Sequence, residues 1–244
     1  MSARSVAVTG GNRGIGAATA RLFAAHGWRV AILYGSDRAS AEATLGSLAG
    51  EGHLIAQADV ADSAAVAAAA ATVGAAFGGL DALVNNAGWT RPVPHHDLDA
   101  LDDALIERVF RVNAMGPLYC VRSFLPLLRR RERAVIVNLS SVAARRGQGS
   151  SVAYCAAKAA VDTMTISLGR ALAPSVRVVA VAPGPVDTDM ARMWTPEQRD
   201  AIGKATPLGW AAPEEIAVTI YAAVTMMPKV TGTTILADGG RALV

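Results

Sequence analysis

Aromatic side chains make up only 5% of this 244-residue sequence, so alanine, valine and leucine must fill whatever core it builds. Cysteine is nearly absent: Cys120 and Cys155 have no metal-ligand spacing and read as buried or neutral thiols in a reducing compartment. Lysine is scarce too. Twenty of the 23 basic residues are arginine, which makes each lysine uncommon. No block of basic residues marks a nucleic-acid groove, and the net charge is only +3. No apolar run is long enough to span a bilayer. The opening residues, Met1 to Thr9, enter a strand at once without the plan of a signal peptide, so a cytoplasmic protein is expected. Internal repeats and linkers are missing as well. The length and a hydrophobic content of 52% fit one α/β domain over residues 1–244.

What is present is a regular alternation. Ser5 to Thr9 reads as a strand, followed by Thr9-Gly-Gly-Asn-Arg-Gly-Ile-Gly16 and a helical pattern from Ile15 to His26. Strand, glycine turn and helix form the setting of a dinucleotide site. Glycines 10, 14 and 16 let backbone approach a pyrophosphate, and the helix start presents unpaired N–H groups to it. A second strand, Trp28 to Tyr34, ends without the acid that usually meets a ribose 2′-hydroxyl. Arg13, Ser36 and Arg38 can instead hold a 2′-phosphate, which favours NADPH/NADP+ over NADH/NAD+. Asp37 dissents, or caps the next helix.

A helix from Ala39 to Gly50, a strand from His53 to Ala58, an alanine-rich helix from Ser63 to Phe77 and a strand from Leu80 to Val84 follow. Asp59-Val60 stands where a carboxylate meets the adenine amine, or caps the following helix. Asn85-Asn86-Ala87-Gly88 puts amides at a strand end, where they can hold the loop under a cofactor. Residues 89–103 are irregular. Their paired His95 and His96 have no partner ligands, so no metal site is expected. Leu101 to Arg131 reads as one long helix, bent near Gly116-Pro117 and holding Asn113 on an apolar face.

Ala134 to Leu139 is a strand that runs into Ser141. Ser151 to Ala173 reads as a helix, and it places Tyr154 and Lys158, four residues apart, on one face. A lysine beside a phenol favours the phenolate and lowers the pKa of the phenol, which suits a general acid or base. A strand from Val176 to Val181 leads into Pro183-Gly-Pro-Val-Asp-Thr188. Residues 188–205 have irregular helical character and read as a substrate lid. A helix from Pro213 to Met227 and a strand from Thr231 to Ala237 complete the chain. Strands alternate with helices seven times, which predicts a Rossmann-type doubly wound parallel sheet with helices on both faces.

Together these residues resemble the single-domain branch of the short-chain dehydrogenase/reductase family, including its 3-oxoacyl-acyl-carrier-protein reductases. The matching pieces are Thr9-Gly-x3-Gly-x-Gly16, Asp59, Asn85 to Gly88, Asn113, Ser141, Tyr154-x3-Lys158 and Pro183-Gly184 with Thr188. The resemblance implies hydride transfer between a nicotinamide and a carbonyl or secondary alcohol. It makes Tyr154 the general acid–base. Ser141, thirteen residues before it, would hold the substrate oxygen. Lys158 would bind the nicotinamide ribose, and Asn113 would hold a water in the proton relay. Cofactor contacts are implied for Gly10, Asn12, Arg13, Gly14, Ile15, Gly16, Tyr34, Ser36, Arg38, Asp59, Val60, Asn86, Ala87, Gly88, Tyr154, Lys158, Pro183, Gly184, Val186 and Thr188.

A homotetramer built on the helices of Asn113 and Tyr154 is implied, acting on a small-molecule substrate. Specificity would rest on the loop 89–100, on Ser151 and Val152, and on the lid. Two residues depart from the family pattern: Cys155 stands where a smaller residue is usual, and Trp210 stands where relatives often place arginine, a difference that bears on the last helix. An acyl-carrier-protein substrate would want basic side chains around the entrance, and the arginines from 129 to 133 are the available ones. A non-catalytic NADP-binding regulator is the alternative of another class, against which the intact Asn113, Ser141, Tyr154 and Lys158 argue.

Overall fold

The computed structural model describes residues 3–244, and in it the apolar runs become seven parallel strands. These are β1 (Ser5–Thr9), β2 (Arg29–Tyr34), β3 (Leu54–Gln57), β4 (Ala82–Asn85), β5 (Ala134–Leu139), β6 (Val176–Pro183) and β7 (Thr233–Ala237). Their order across the sheet is β3-β2-β1-β4-β5-β6-β7. The winding reverses between β1 and β4, so the chains leaving Thr9 and Asn85 part and open a crevice at the carboxyl edge. The helices are α1 (Gly14–Ala25), α2 (Arg38–Gly46), α3 (Ser63–Phe77), α4 (Asp103–Phe110), α5 (Gly116–Leu128), α6 (Ala143–Arg146), α7 (Val152–Leu172), α8 (Pro196–Lys204) and α9 (Pro213–Thr225).

Strands buried on both faces read as near-continuous apolar runs of valine, isoleucine, leucine and alanine, interrupted in β5 by Asn138 and in β6 by Arg177. One face packs α3 and α5 through Val66, Val73, Val121, Phe124 and Leu128 onto Leu83 and Ile136. The other packs α1 and α9 through Phe23, Ile216 and Ile220 onto Val8, Ile32 and Val135. Each fully buried aliphatic side chain contributes about 1.5–3 kcal/mol, so many small residues replace the missing aromatics.

Most strand and helix ends shift by one or two residues from the sequence expectation, and three boundaries have a local cause. Helix α2 stops at Gly46, because the Ser47 hydroxyl donates back to the Thr44 carbonyl (2.7 Å) and the chain turns there. His53 stays out of β3; its Nδ1 accepts from the Val30 amide (3.1 Å). The long helix begins at Asp103, capped by Asp102, and passes through a π-helical turn, Arg111–Met115, before α5. Pro117 has no N–H to give the Asn113 carbonyl four residues back, so the irregularity falls one turn before the expected bend.

Candidate active site

The glycine loop is shaped by close backbone approach. Gly10 and Gly14 have φ of +60° and +51°. A methyl group at Gly16 would stand 2.2 Å from the Gly10 carbonyl oxygen and 2.5 Å from Asn86 Nδ2, so only glycine fits. Helix α1 starts at Arg13 without a side-chain cap, which leaves its first N–H groups for an anion. Asn12 ties the loop to α2: its carbonyl accepts from the Ser40 hydroxyl (2.7 Å) and the Thr44 hydroxyl (3.1 Å). Ile15 packs against the core beneath. Asn86 Nδ2 donates to the carbonyls of Thr9 (2.9 Å) and Gly10 (3.1 Å), while the amides of Asn86 and Ala87 donate to the Thr9 hydroxyl (both 3.0 Å). The asparagine therefore fastens β4 to the glycine loop, as its position in the sequence implies. Thr188 lies against Gly14, 3.2 Å from where a side chain there would begin.

At the end of β2 the picture is mixed. Tyr34 is buried in the core rather than turned to a ligand, and its carbonyl accepts from Ala58 N (2.8 Å). Asp37 caps α2 by accepting from Ser40 N (3.0 Å) through Oδ1. Ser36 and Arg13 are exposed. Arg38 is exposed as well and pairs with Glu42 (2.7 Å), which also raises the pKa of the guanidinium. Such a surface pair is weak, so the guanidinium can turn to another anion at little cost. Asp59 does not cap α3; Asp62 does. Instead Asp59 accepts from Ala61 N (2.9 Å) and pairs with Arg108 (3.1 Å). Val60 is buried against Gly116 at the start of α5.

The reactive groups converge where β4, β5 and α7 end or begin. Asn113, fully buried, donates from Nδ2 to the carbonyls of Trp89 (2.6 Å) and Val109 (2.9 Å), and its Oδ1 accepts from Trp89 N (3.3 Å). A side chain at Gly88 would meet Asn113 Oδ1 at 3.1 Å and Lys158 Nζ at 3.9 Å, so the three share one narrow space. Lys158 is 4% exposed, and its Nζ donates to the Leu139 carbonyl (2.7 Å). Burial drops its pKa to about 8, with Asp162 pulling the other way. The ammonium stands 5.7 Å from the Tyr154 ring centroid.

Tyr154 departs from the expectation of a phenol tuned towards neutrality. Desolvation pushes its pKa up to about 12, although part of the side chain stays accessible. The lowering influence on it comes from the nearby Ser141 hydroxyl, not the lysine. Ser141 begins the turn into α6, and its hydroxyl also accepts from Ala143 N (3.2 Å). Ser151 belongs to the helix, not to a substrate surface: it is fully buried and caps α7 by accepting from Tyr154 N (3.1 Å). Val152, beside it, is exposed.

After β6, Pro183 accepts from Val142 N (2.9 Å) and Gly184 crosses so close to Asp238 that a methyl would stand 2.5 Å from its carbonyl oxygen. Val186 pairs with Ala211. The segment expected to be a lid is a 3-10 turn, Asp189–Met193, followed by α8. Trp210 serves this flap rather than the last helix. Its Nε1 donates to the Arg199 carbonyl (3.0 Å), Trp194 meets it edge-on and the Arg199 guanidinium covers its ring. The arginines 129–133 lie at the opposite edge of the sheet from this chain's site. Arg130 donates to the Gly78 carbonyl and Arg131 pairs with Asp81, ahead of β4 and beside the start of β1. They do not ring the entrance. Among the described residues no cluster of His, Cys, Asp or Glu could hold a metal.

Residues 4–199 match the family model described as short chain dehydrogenase. The cis-4-hydroxycyclohexanecarboxylate dehydrogenase of Sinomonas cyclohexanicum is 37% identical over 243 residues, covering 97% of this chain and 96% of that protein. A 3-oxoacyl-(acyl-carrier-protein) reductase of Staphylococcus aureus is 34% identical over 242 residues, covering 97% of each. Among solved structures, a short-chain dehydrogenase/reductase of Burkholderia xenovorans superposes with a TM-score of 0.93 at 38% identity over 100% of both chains. A 3-ketoacyl-(acyl-carrier-protein) reductase of Brucella melitensis, complexed with NADH, gives 0.90 at 28% identity over 98% of each. The chain belongs to the short-chain dehydrogenase/reductase family, and it is an oxidoreductase acting on CH–OH and C=O groups. A nicotinamide dinucleotide fits the residues present, because a loop with Gly10 and Gly14 at positive φ leads into the uncapped start of α1, whose free N–H groups are what a pyrophosphate needs.

Proposed function

We propose that this protein is an NADPH-dependent enzyme interconverting a carbonyl and a secondary alcohol, with Tyr154 as general acid/base. The observation that carries the reading is the convergence of Gly88, Asn113 and Lys158 in one narrow space, with the Tyr154 ring centroid 5.7 Å from the Lys158 ammonium. The bound nicotinamide supplies or accepts the hydride. Ser141 holds the substrate oxygen and Tyr154 gives it a proton from its hydroxyl, or takes one in the other direction. Lys158 orients the ribose and places a cation beside the phenol. Asn113 leaves its own carbonyl without a donor at Pro117, which suits it to hold a relay water. Thr188, Val186, Gly184 and Pro183 line the carboxamide side, and the segment 188–205 closes over the substrate.

The preference for NADPH rests on β2 ending at Tyr34 without an acid, on Asp37 being occupied as a cap, and on Arg13, Ser36 and Arg38 being exposed at that rim. Dissociation constants for NADPH and NADH test it. Tighter NADPH binding is expected, and equal or tighter NADH binding overturns it. Arg38→Asp should shift preference towards NADH by roughly tenfold to hundredfold, the range for one charge-assisted contact of about 1.5–3 kcal/mol.

A homotetramer is supported by Met115 and Leu118, exposed on the helix that holds Asn113, and by Val152 and Ile166, exposed on α7. Val121 and Leu128 serve the core instead. A monomer by light scattering at micromolar concentration would refute it. A cytoplasmic location fits the free, buried cysteines.

The second reading is a 3-oxoacyl-acyl-carrier-protein reductase, favoured by relatives that carry that name along the whole chain. Spectrophotometric NADPH oxidation with ketones, diketones, quinones and β-ketoacyl thioesters separates the two. Turnover confined to thioesters selects the second reading.

A further inference from the structure

Three buried polar side chains form a line across the sheet, outside the crevice itself. Asn85 Nδ2 donates to the Pro117 carbonyl (3.4 Å) and to Asn138 Oδ1 (2.9 Å). Asn138 Nδ2 donates to the Thr165 hydroxyl (3.0 Å), which donates to the Val161 carbonyl (2.8 Å). Asn85 is 2% exposed, and Asn138 and Thr165 are fully buried. The neighbours on β4 and β5 are apolar, and Asn85 Oδ1 has no partner among the described residues. A buried acceptor left idle opposes folding, so apolar residues would make the more stable core here. The line therefore needs a reason other than stability.

Its two ends supply one. Pro117 lies four residues past Asn113, and Thr165 lies seven past Lys158 on the same face of α7. In the middle, Asn138 immediately precedes Leu139, whose carbonyl holds Lys158 Nζ. Apolar packing is non-directional and lets helices settle over a range of positions, while hydrogen bonds fix distance and angle. The space between Gly88, Asn113 and Lys158 tolerates little error.

We propose that Asn85, Asn138 and Thr165 are positioning residues: a directional clamp across β4 and β5 that fixes the Asn113 helix relative to α7 and so holds Lys158 in register with the reacting atoms. This rests on the reading of Lys158 as part of the reactive set. Among the described residues, the charge acting on Lys158 is Asp162 on its own helix. Tyr154 faces it as a neutral phenol, and Leu139 and Asn113 face it from β5 and the neighbouring helix without charge.

The test uses Thr165→Val, which removes the hydroxyl at nearly constant shape, with Thr165→Ser as the rescue and Thr165→Ala in case the first variant fails to fold. Carbon-13 labelling of lysine gives few signals, because Lys204 and Lys229 are the other lysines and both are exposed. The Lys158 signal is the one lost in Lys158→Met, and its titration midpoint is the readout. Loss of the clamp should move that midpoint and reduce kcat by roughly tenfold to hundredfold, the scale of a small misplacement, with a smaller rise in KM for the cofactor whose ribose Lys158 orients. Thr165→Ser should restore both. An unmoved midpoint and an unchanged pH–rate profile in Thr165→Val and Thr165→Ala overturn the clamp, even where Tyr154→Phe abolishes turnover. Full turnover in Tyr154→Phe overturns the functional reading alone, since the lysine midpoint is measured without substrate.

Discussion

Asn113 and Lys158, in the floor of the site, are sealed in the core and bonded to backbone carbonyls, whereas α8, in the flap above, buries no side chain at all. The floor is held by groups that have nowhere else to go. The flap is held by a capping box at Thr195 and Gln198, by an Arg199–Asp187 pair (2.8 Å), and by Trp210. Elements with few buried contacts open at low free energy, and elements fixed by buried polar networks do not. On the functional reading proposed above, the chemistry would sit on the rigid part and substrate selection on the loosely held one.

The sharpest test of the floor is Tyr154→Phe. The ring stays, so packing and NADPH binding should change little, while turnover should fall by roughly 10²–10⁴-fold, the usual contribution of a positioned acid. Near-normal turnover would move the acid elsewhere and dissolve the contrast with the flap. A structural break of the floor comes next. Gly16→Ala drives a methyl into the Gly10 carbonyl at 2.2 Å, and backbone cannot rotate away. Overpacking of this kind costs about 1–3 kcal/mol in urea unfolding, and cofactor affinity should fall with it. Unchanged affinity would mean that the loop is softer than its contacts imply.

Much of this was legible in the residues and some was not. The strands announce themselves as apolar runs, and Asn86 and the glycine loop carry their roles in their positions. Asp37 offers two readings, a ribose contact or a helix cap, and the structure shows the cap on α2. By contrast, Asp59 and Asp62 are the same residue type three apart, and only the path of the chain decides that Asp62 caps α3 while Asp59 meets Arg108. The π turn at Arg111–Met115 depends on a missing N–H at Pro117 together with the bonds from Asn113 to Trp89, which are tertiary. The arginines 129–133 look like an entrance until the antiparallel run of α5 carries them to the far edge. The Tyr154–Lys158 pair reads as mutual tuning, yet burial outweighs it, because desolvation acts on both groups and spacing along a helix does not reveal it.

That burial gives a pH-dependent test. Lys158 keeps its proton up to 10.5 when unfolded, but only to about 8 in the fold. The unfolded chain therefore binds more protons between these values, and stability rises as pH climbs through them. Below 8 the buried cation opposes folding in full. Lys158→Met should raise stability at pH 7 by about 1–3 kcal/mol while abolishing turnover, the range allowing for the hydrogen bond to Leu139 that is lost. The gain should vanish by about pH 10, near the ordinary lysine value. Tyr154 works in the opposite sense, with stability lost as pH rises from 10 towards 12. Thermal unfolding at several pH values reads both. No gain at pH 7 would mean that the lysine is solvated and the floor less sealed than described.

The smallest expected effect belongs to the flap. Trp210→Ala removes the indole N–H that holds the Arg199 carbonyl, the ring that covers Gly203, and the surface under the Arg199 guanidinium. Because α8 contributes no buried side chain, global stability should change by less than about 1 kcal/mol, as for other substitutions away from the core. Local opening should still increase, since these contacts are most of what fastens the helix. The flap carries Arg192, Arg199 and Lys204, so trypsin reads its opening directly. Cleavage in this segment should quicken, and substrate KM should rise while cofactor affinity and the Tyr154-dependent step stay as they were. Equal cleavage rates in both proteins would mean that the capping box and the Arg199–Asp187 pair suffice without the tryptophan. The division between a fixed floor and a loosely held flap would then lie elsewhere than at Trp210.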